Sequence, residues 1–398
     1  MIANMAAEWE EATLGDVSTK ITKGTTPTTL GYEFVPEGVN FVKVESITDD
    51  GRLLPQKFAH ITNETHQALS RSVLEKDDIL FSIAGAIGRS ALVNNDVLPA
   101  NTNQAVAIVR PDVGKVSPRF LAFLLQDKKV VRFTNSIVAQ SVQANINLQQ
   151  LSGLEIPLPS LEEQRSIAAV LSSLDDKIEL LRKQNETLEQ IAQAIFNEWF
   201  VKPTADGSLP DGWQMAGLTD IADFLNGIAL QKYPAIDGEP SLPAIKIREL
   251  KAGITEATDK VNAGVPAQYI IEDGDLLFSW SGSLEVVLWR YGKGALNQHL
   301  FKVSSDKYPQ WFVYLWLLHH LPDFRTIAAN KATTMGHIQR HHLDQAEVVV
   351  PDEKTLSDAD ALLAPIFNKV IANNSQLGLL PSLRDALLPQ LMSGEIRV

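Results

Sequence analysis

Three histidines, His337, His341 and His342, stand close together near the end of the second half of the chain. A helix through them would put His337 and His341 on one face, the usual first half of a metal site. Such a site needs a third ligand, and none nearby is compelling, so polar surface or a nucleic-acid contact is the better reading. Pro351-Asp352-Glu353-Lys354 has the look of a nuclease carboxylate–lysine motif, but it reads as a solvated linker entering a helix. Gly85-Ala86-Ile87-Gly88-Arg89-Ser90 has glycines after a strand. It lacks the lysine and the spacing of a phosphate loop, G-x-x-x-x-G-K-[ST], and reads as a turn between strands. There is no H-E-x-x-H and no N-P-P-[YF] or D-P-P-[YF] methyltransferase tetrapeptide. The sequence contains no cysteine, which removes thiolate zinc sites, cysteine nucleophiles and disulfide frameworks. A chain of this size without a reaction centre reads as a binder rather than an enzyme.

At 398 residues the chain needs two or more domains, and 45% hydrophobic with 21% charged residues is ordinary globular composition. The net charge of -13 speaks against a simple nucleic-acid binder, but it is unevenly spread. Residues 151–200 carry 4 basic against 9 acidic groups, while residues 1–150 carry 14 against 16. Basic residues therefore concentrate in the globular stretches, where local loops can still meet phosphate. Glu8, Glu10 and Glu11 fall where a secretion signal would be apolar, and Phe312 to Leu318 is too short to span a bilayer. The expectation is a soluble, cytoplasmic protein without a membrane partner.

The chain is written twice. Trp9 and Leu14 recur as Trp213 and Leu218, and Asp16-Val17 as Asp220-Ile221. Asp78 to Ser82 recurs as Asp275 to Ser279, Gly85 as Gly282, Asn103-Gln104 as Asn297-Gln298, and Ile146 and Leu151 as Ile338 and Leu343. The shared order of these matches makes chance a poor explanation. Within each copy, "DDILFSI" and "GDLLFSW" read as strands after acidic turns, and "SPRFLAFLLQ" and "PQWFVYLWLL" as short helices. Each copy should be a mixed α/β domain.

Each copy then ends in a long helix. Ser160 with Glu163 makes a capping-box pattern, and no proline or glycine follows until about Phe200. Ile167, Leu171, Leu174, Ile178, Leu181, Asn185 and Leu188 alternate gaps of four and three, a coiled-coil seam. Forty residues at ~1.5 Å each would make a rod of roughly 60 Å. An offset of 192 residues gives the second seam, with Leu363, Ile366, Val370, Asn373 and Leu377 among its members. Pro365, Gly378, Pro381 and Pro389 are expected to kink or break this helix, with Gly378 to Pro381 ending one segment and starting another. Asn185 and Asn373 are read as equivalent seam amides that meet near a twofold axis and fix the register. The alternative is that Asn185 faces solvent on a drifting seam.

Residues of these kinds, in this order, resemble the specificity subunit of Type I restriction–modification systems over essentially the whole chain. The most specific stretch is Gln140 to Leu181, "QSVQANINLQQLSGLEIPLPSLEEQRSIAAVLSSLDDKIELL". "KGTTP" from Lys23, "DDILFSIAGAIGRSALV" from Asp77 and the closing "LLPQLMSGEIRV" are similar to further family signatures. Copy two departs from the pattern: "GHIQRHHLDQAEVVVPDEKTL" lacks the E-Q-R tripeptide and the second proline.

The resemblance implies two pseudo-repeated target-recognition domains, residues 1–155 and 202–350. Two long helical regions, 156–201 and 351–398, would join them as an antiparallel coiled coil. It implies a non-catalytic subunit whose partners are double-stranded DNA, two modification subunits and the restriction subunits. No cofactor is expected on this chain; S-adenosylmethionine, ATP and magnesium would belong to the partner subunits. Each domain would read one half of a split DNA site. The residues expected to face DNA are Lys23, Arg89, Asn103, Gln104, Gln140, Ser141, Gln143 and Asn145 in copy one. In copy two they are Lys232, Asn297, Gln298, Lys331, Thr333, Thr334, His337, Gln339 and Arg340. Asn and Gln suit adenine, Arg suits guanine, and the hydroxyls and lysines suit phosphate. A duplicated protein-binding scaffold without DNA recognition is the competing reading.

Overall fold

The computed structural model describes residues 9–139, 145–330 and 336–398. The chain divides into two compact units, Met1–Asp176 with Leu383–Val398 (unit 1) and Lys177–Ser382 (unit 2).

In unit 1 an antiparallel sheet runs in the order Ser18–Lys23, Val106–Pro111, Ile79–Ser82, Ser90–Leu92. Every residue of Ile79–Ser82 is buried, as its unbroken apolar run implies for a central strand. A second sheet joins Ala59–Ile61, Val39–Val42 and Ala100–Thr102, the last two being parallel. The helix Pro118–Gln126 starts on proline, which loses nothing there because the first helical N–H has no intrahelical partner. Its Phe120 packs in one core with Phe81.

Unit 2 repeats the plan. Its antiparallel sheet runs Asp223–Asn226, Leu300–Ser304, Leu276–Ser279, Val286–Leu288. Its second sheet pairs Ser241–Ile245 in parallel with Gly294–Leu296. The mixed α/β reading holds for both. One difference is that unit 1 follows Pro118–Gln126 with a separate helix, Lys128–Ala139, whereas unit 2 has a single helix, Gln310–Asn330, with Pro322 inside it.

The sequence matches prove to be joints of this frame. Asp16 accepts the Thr13 N–H at 2.9 Å and Asp220 the Gly217 N–H at 2.7 Å. Ser82 and Ser279, both wholly buried, hold the glycine turn after the central strand: they accept the N–H of Arg89 at 2.9 Å and of Glu285 at 2.8 Å. Each unit is closed by a strand pair that sequence alone does not suggest. Glu10–Thr13 lies antiparallel to Glu155–Leu158, and Gln214–Gly217 to Glu347–Val350. The repeated tryptophans secure that closure at the entrance of each long helix. Trp9 donates to Glu163 at 3.2 Å and Trp213 to Asp352 at 3.1 Å.

The first long helix is Leu161–Phe196, capped by the Ser160 hydroxyl, which accepts the Glu163 N–H at 3.2 Å. It continues as a π-helical turn, Asn197–Val201. The second is Glu353–Met392, forty residues without interruption. This overturns the expected breaks at Pro365, Gly378, Pro381 and Pro389. Each proline withholds one N–H and leaves one carbonyl four residues earlier unpaired, a local cost. Buried Leu363, Phe367, Val370 and Leu377 in unit 2, and Leu388 and Leu391 in unit 1, anchor the helix on either side of those points. Tertiary packing thus overrides propensity.

Candidate nucleic-acid interface and the helical seam

In unit 1 one end of the main sheet gathers several loops. Ser82 lies opposite Val106, and Lys23 opposite Ala107, so the loops leaving these strands emerge together. Gly24 donates to the Asn103 carbonyl at 3.1 Å. A Cβ on Gly24 would stand 1.8 Å from the Thr102 carbonyl oxygen, so only glycine permits this approach. Ala84 bridges to Asn145, and Ile146 donates to the Ile83 carbonyl at 2.9 Å. Lys23, Gln104 and Asn145 are exposed at this end. Gln104 accepts the Thr26 hydroxyl, and Arg89 pairs with Asp49 at 2.6 Å. Gln140, Ser141 and Gln143 lie outside the described residues.

Unit 2 assembles the same end in the same way. Ser281 bridges to His337, and Ile338 donates to the Trp280 carbonyl at 2.9 Å. Gly227 takes the place of Gly24, and a Cβ there would be 2.2 Å from the Asn297 carbonyl oxygen. Lys232, Gln339 and Arg340 are exposed and Gln298 is half-buried. Lys331, Thr333 and Thr334 lie outside the described residues. His337 sits in the bridge, not on the short helix Arg340–Asp344 that holds His341, so the one-face arrangement imagined for these histidines does not form. No group of three or more His, Cys, Asp or Glu is placed to hold a metal among the described residues.

Two sequence candidates change character. Asn103 accepts the Ala105 N–H at 3.1 Å and Asn297 the His299 N–H at 3.3 Å, the same turn in both units. Asn297 is 3% exposed, so its amide holds the loop and cannot reach a base. Conversely, Trp280, Ser281 and His299 stand at this end of unit 2 without having been singled out. Trp280 donates to Asn226 at 3.1 Å, and Ser281 Oγ lies 3.0 Å from His299 Nδ1. The available signal was position: Trp280 directly follows the repeated strand, where copy one has Ile83.

The long helices run antiparallel within each unit. In unit 1, Ile167 and Leu171 share a core with Leu388 and Leu391. In unit 2, Ile178 and Leu181 pack on Leu377, and Leu363 and Val370 join the large core beside half-buried Leu188 and Ile366. Leu174 is half-buried as well. The seam amides do meet. Asn373 Nδ2 donates to Asn185 Oδ1 at 2.9 Å, and Asn185 Nδ2 donates to Asn374 Oδ1 at 2.9 Å. They are 0% and 7% exposed for Asn373 and Asn185, which excludes a solvated, drifted position. They are not equivalents, however. The 192-residue offset carries Asn185 to Leu377 and Asn373 back to Leu181. In an antiparallel pair, residues that face each other away from the axis differ from residues that correspond. Unit 1 places a different polar contact in its seam: Arg384 Nη1 donates to Asp175 Oδ1 at 2.9 Å. Burial pushes the Asp175 carboxyl up, against the pull of Arg384.

A domain plan built twice, with antiparallel long helices packed within each unit, matches a known architecture. The family model for the Type I restriction modification DNA specificity domain matches residues 6–190 and again 210–376. The chain belongs to that family. It is 26% identical to the Type I restriction enzyme MjaIX specificity subunit of Methanocaldococcus jannaschii, over 100% of this chain and 95% of that one. It is 23% identical to the HindI specificity subunit of Haemophilus influenzae, over 98% and 100%. The S subunit from M. genitalium shares the fold, with a TM-score of 0.60 at 16% identity, covering 98% of this chain and 96% of that one. The two family matches give the chain two DNA specificity domains, in the manner of a Type I specificity subunit. No helix among the described residues is long and apolar enough to cross a membrane.

Proposed function

We propose that each of the two domains binds one half of a split, asymmetric DNA site through the loop cluster at the end of its main sheet. The antiparallel helices set the distance between the halves and dock two modification subunits. The observation that carries this reading is the repetition of the cluster. The Ala84–Asn145 and Ser281–His337 bridges and the Gly24 and Gly227 approaches build the same platform twice, while the residues standing on it differ. Different side chains on equal platforms suit two different half-sites. Half-sites on one face of a duplex lie roughly 34 Å apart or a multiple of it, so a stiff connector is needed.

The chain itself acts by recognition and contributes no catalytic group. S-adenosylmethionine chemistry, and any ATP- and magnesium-dependent step, belong to the modification and restriction subunits that assemble on it. The net charge of -13 is compatible with this division, because partners can supply phosphate-binding charge and acidic helix faces can meet basic partner surfaces. The test is to express the chain with modification subunits and map methylated bases by sequencing. Two short specified halves separated by an unspecified spacer of one length are expected. A continuous motif, or DNA binding that does not depend on sequence, would contradict the proposal.

A further inference from the structure

The seam amides of unit 2 have a further partner, and it comes from the globular part. Arg290 follows the strand Val286–Leu288 on the main sheet of unit 2. Its Nη1 donates to Asn374 Oδ1 at 3.1 Å, the same oxygen that accepts Asn185 Nδ2 at 2.9 Å. Its Nη2 donates to the Tyr291 hydroxyl at 3.2 Å, and the guanidinium lies 5.3 Å from the Tyr291 ring centre. A second contact fixes the same turn. A Cβ on Gly378 would stand 2.1 Å from the Arg290 carbonyl oxygen, so the second long helix presses on this backbone where it has no side chain. Gly378, expected from sequence to end a helix, instead permits a close approach. Copy one lacks both parts. The hydrogen-bonding frame aligns Arg290 with Asn94, since Trp289 and Val93 each donate to the carbonyl of the aspartate opening the central strand, at 2.8 Å in both. The offset aligns Gly378 with Glu186. In unit 1, Asn94 instead lines a cavity of about 150 Å³ beside Ser172, Asp175 and Asp176.

We infer that Arg290 is a positioning residue for spacer length: it ties the angular setting of the second DNA specificity domain to the register of the helical seam. The inference rests on the split-site reading above. One amide, Asn374, is held by the seam partner on one side and by the domain on the other. A heptad slip would carry a seam residue by roughly 10 Å, and a shift of one residue would turn it by about 100°. Either movement takes Asn374 Oδ1 out of reach of Arg290. Register and domain orientation therefore change together or not at all.

The test uses the full chain with its modification subunits and reads the methylated motif, together with the melting curve of each variant. For Arg290→Met and Gly378→Ala, both half-sites are expected to stay the same. The spacer should spread to neighbouring lengths, with about a tenfold loss of preference for the wild-type length. Asn374→Asp keeps an acceptor for both donors and should retain the single spacer, whereas Asn374→Leu should relax it. The Asn374 pair keeps the test decisive where Arg290→Met fails to fold. An undiminished preference for one spacer in a folded Arg290→Met or Asn374→Leu complex would overturn the inference. A wild-type motif without a spacer would overturn the split-site reading itself, before any variant is made.

Discussion

The two stretches of the helical seam solve one problem with different chemistry. In unit 1 the polar contact is an ion pair, Arg384–Asp175; in unit 2 it is an amide cluster, Asn185 with Asn373 and Asn374. The counterparts of these residues in the other copy are apolar or differ in kind. Asp175 corresponds to Phe367, Arg384 to Ala192, Asn185 to Leu377 and Asn373 to Leu181. The two copies share the frame of each domain, while their seam residues are not symmetric. The consequence is a single acceptable register. A slip of one heptad would set Asn185 against Ile366 or Leu380, and Asn373 against Ile178 or Ala192. Each buried amide would then lack its partner, at about 1–3 kcal/mol apiece. A symmetric oily seam would carry no such penalty.

The largest effect is expected in unit 2. Asn185→Leu removes two hydrogen bonds and takes the Asn185 partner from buried Asn373, while Asn374 keeps Arg290; a loss of about 3 kcal/mol is expected, read from chemical or thermal unfolding. The next effect is in unit 1. Arg384→Met leaves Asp175 alone beside the core, at about 2 kcal/mol. That is less than the ~3–5 kcal/mol for a fully buried pair, because the Asp175 side chain is 33% exposed. This loss should depend on pH with a definite sign. The folded pKa of Asp175 lies above its unfolded value, so its share of stability is fully present in acid. That share is lost as the pH rises through the folded pKa. Removing Arg384 raises the folded pKa further, so the difference between variant and wild type should grow from pH 3 to pH 7. A difference that is flat or shrinks over that range would show that the ion pair is not what Arg384 contributes. The smallest change in stability belongs to Asn185→Leu with Asn373→Leu. An oily seam is restored while Asn374 keeps Arg290, so stability should return to within about 1 kcal/mol of wild type or exceed it. The spacer should then become less strictly fixed. A double variant as unstable as the single one would refute the pairing account.

Much of this frame is legible in the sequence because it rests on periodicity and repetition. The central strands, the helices after Ser117 and Pro309, and the seam from Ile167 to Leu188 all follow from apolar spacing. The reading fails where a residue's role is set by something distant in the chain. Gly378 and the three prolines look like helix breaks until tertiary packing is known. Asn297 looks like a base reader until its burial is known. The Arg290–Asn374 bond joins residues 84 positions apart, and no local pattern announces it. Facing and corresponding residues in an antiparallel pair also separate only once the axis is located, which is why Asn185 and Asn373 meet without being equivalents.

On the proposed function, two domains read separate halves of one site at a distance set by the helices. Replacing residues 1–155 with the matching domain of another family member, in complex with the modification subunits, tests it most directly by mapping the methylated bases. One half of the motif is expected to change, with the other half and the spacer length as before. A change in both halves, or in the spacer alone, would contradict it.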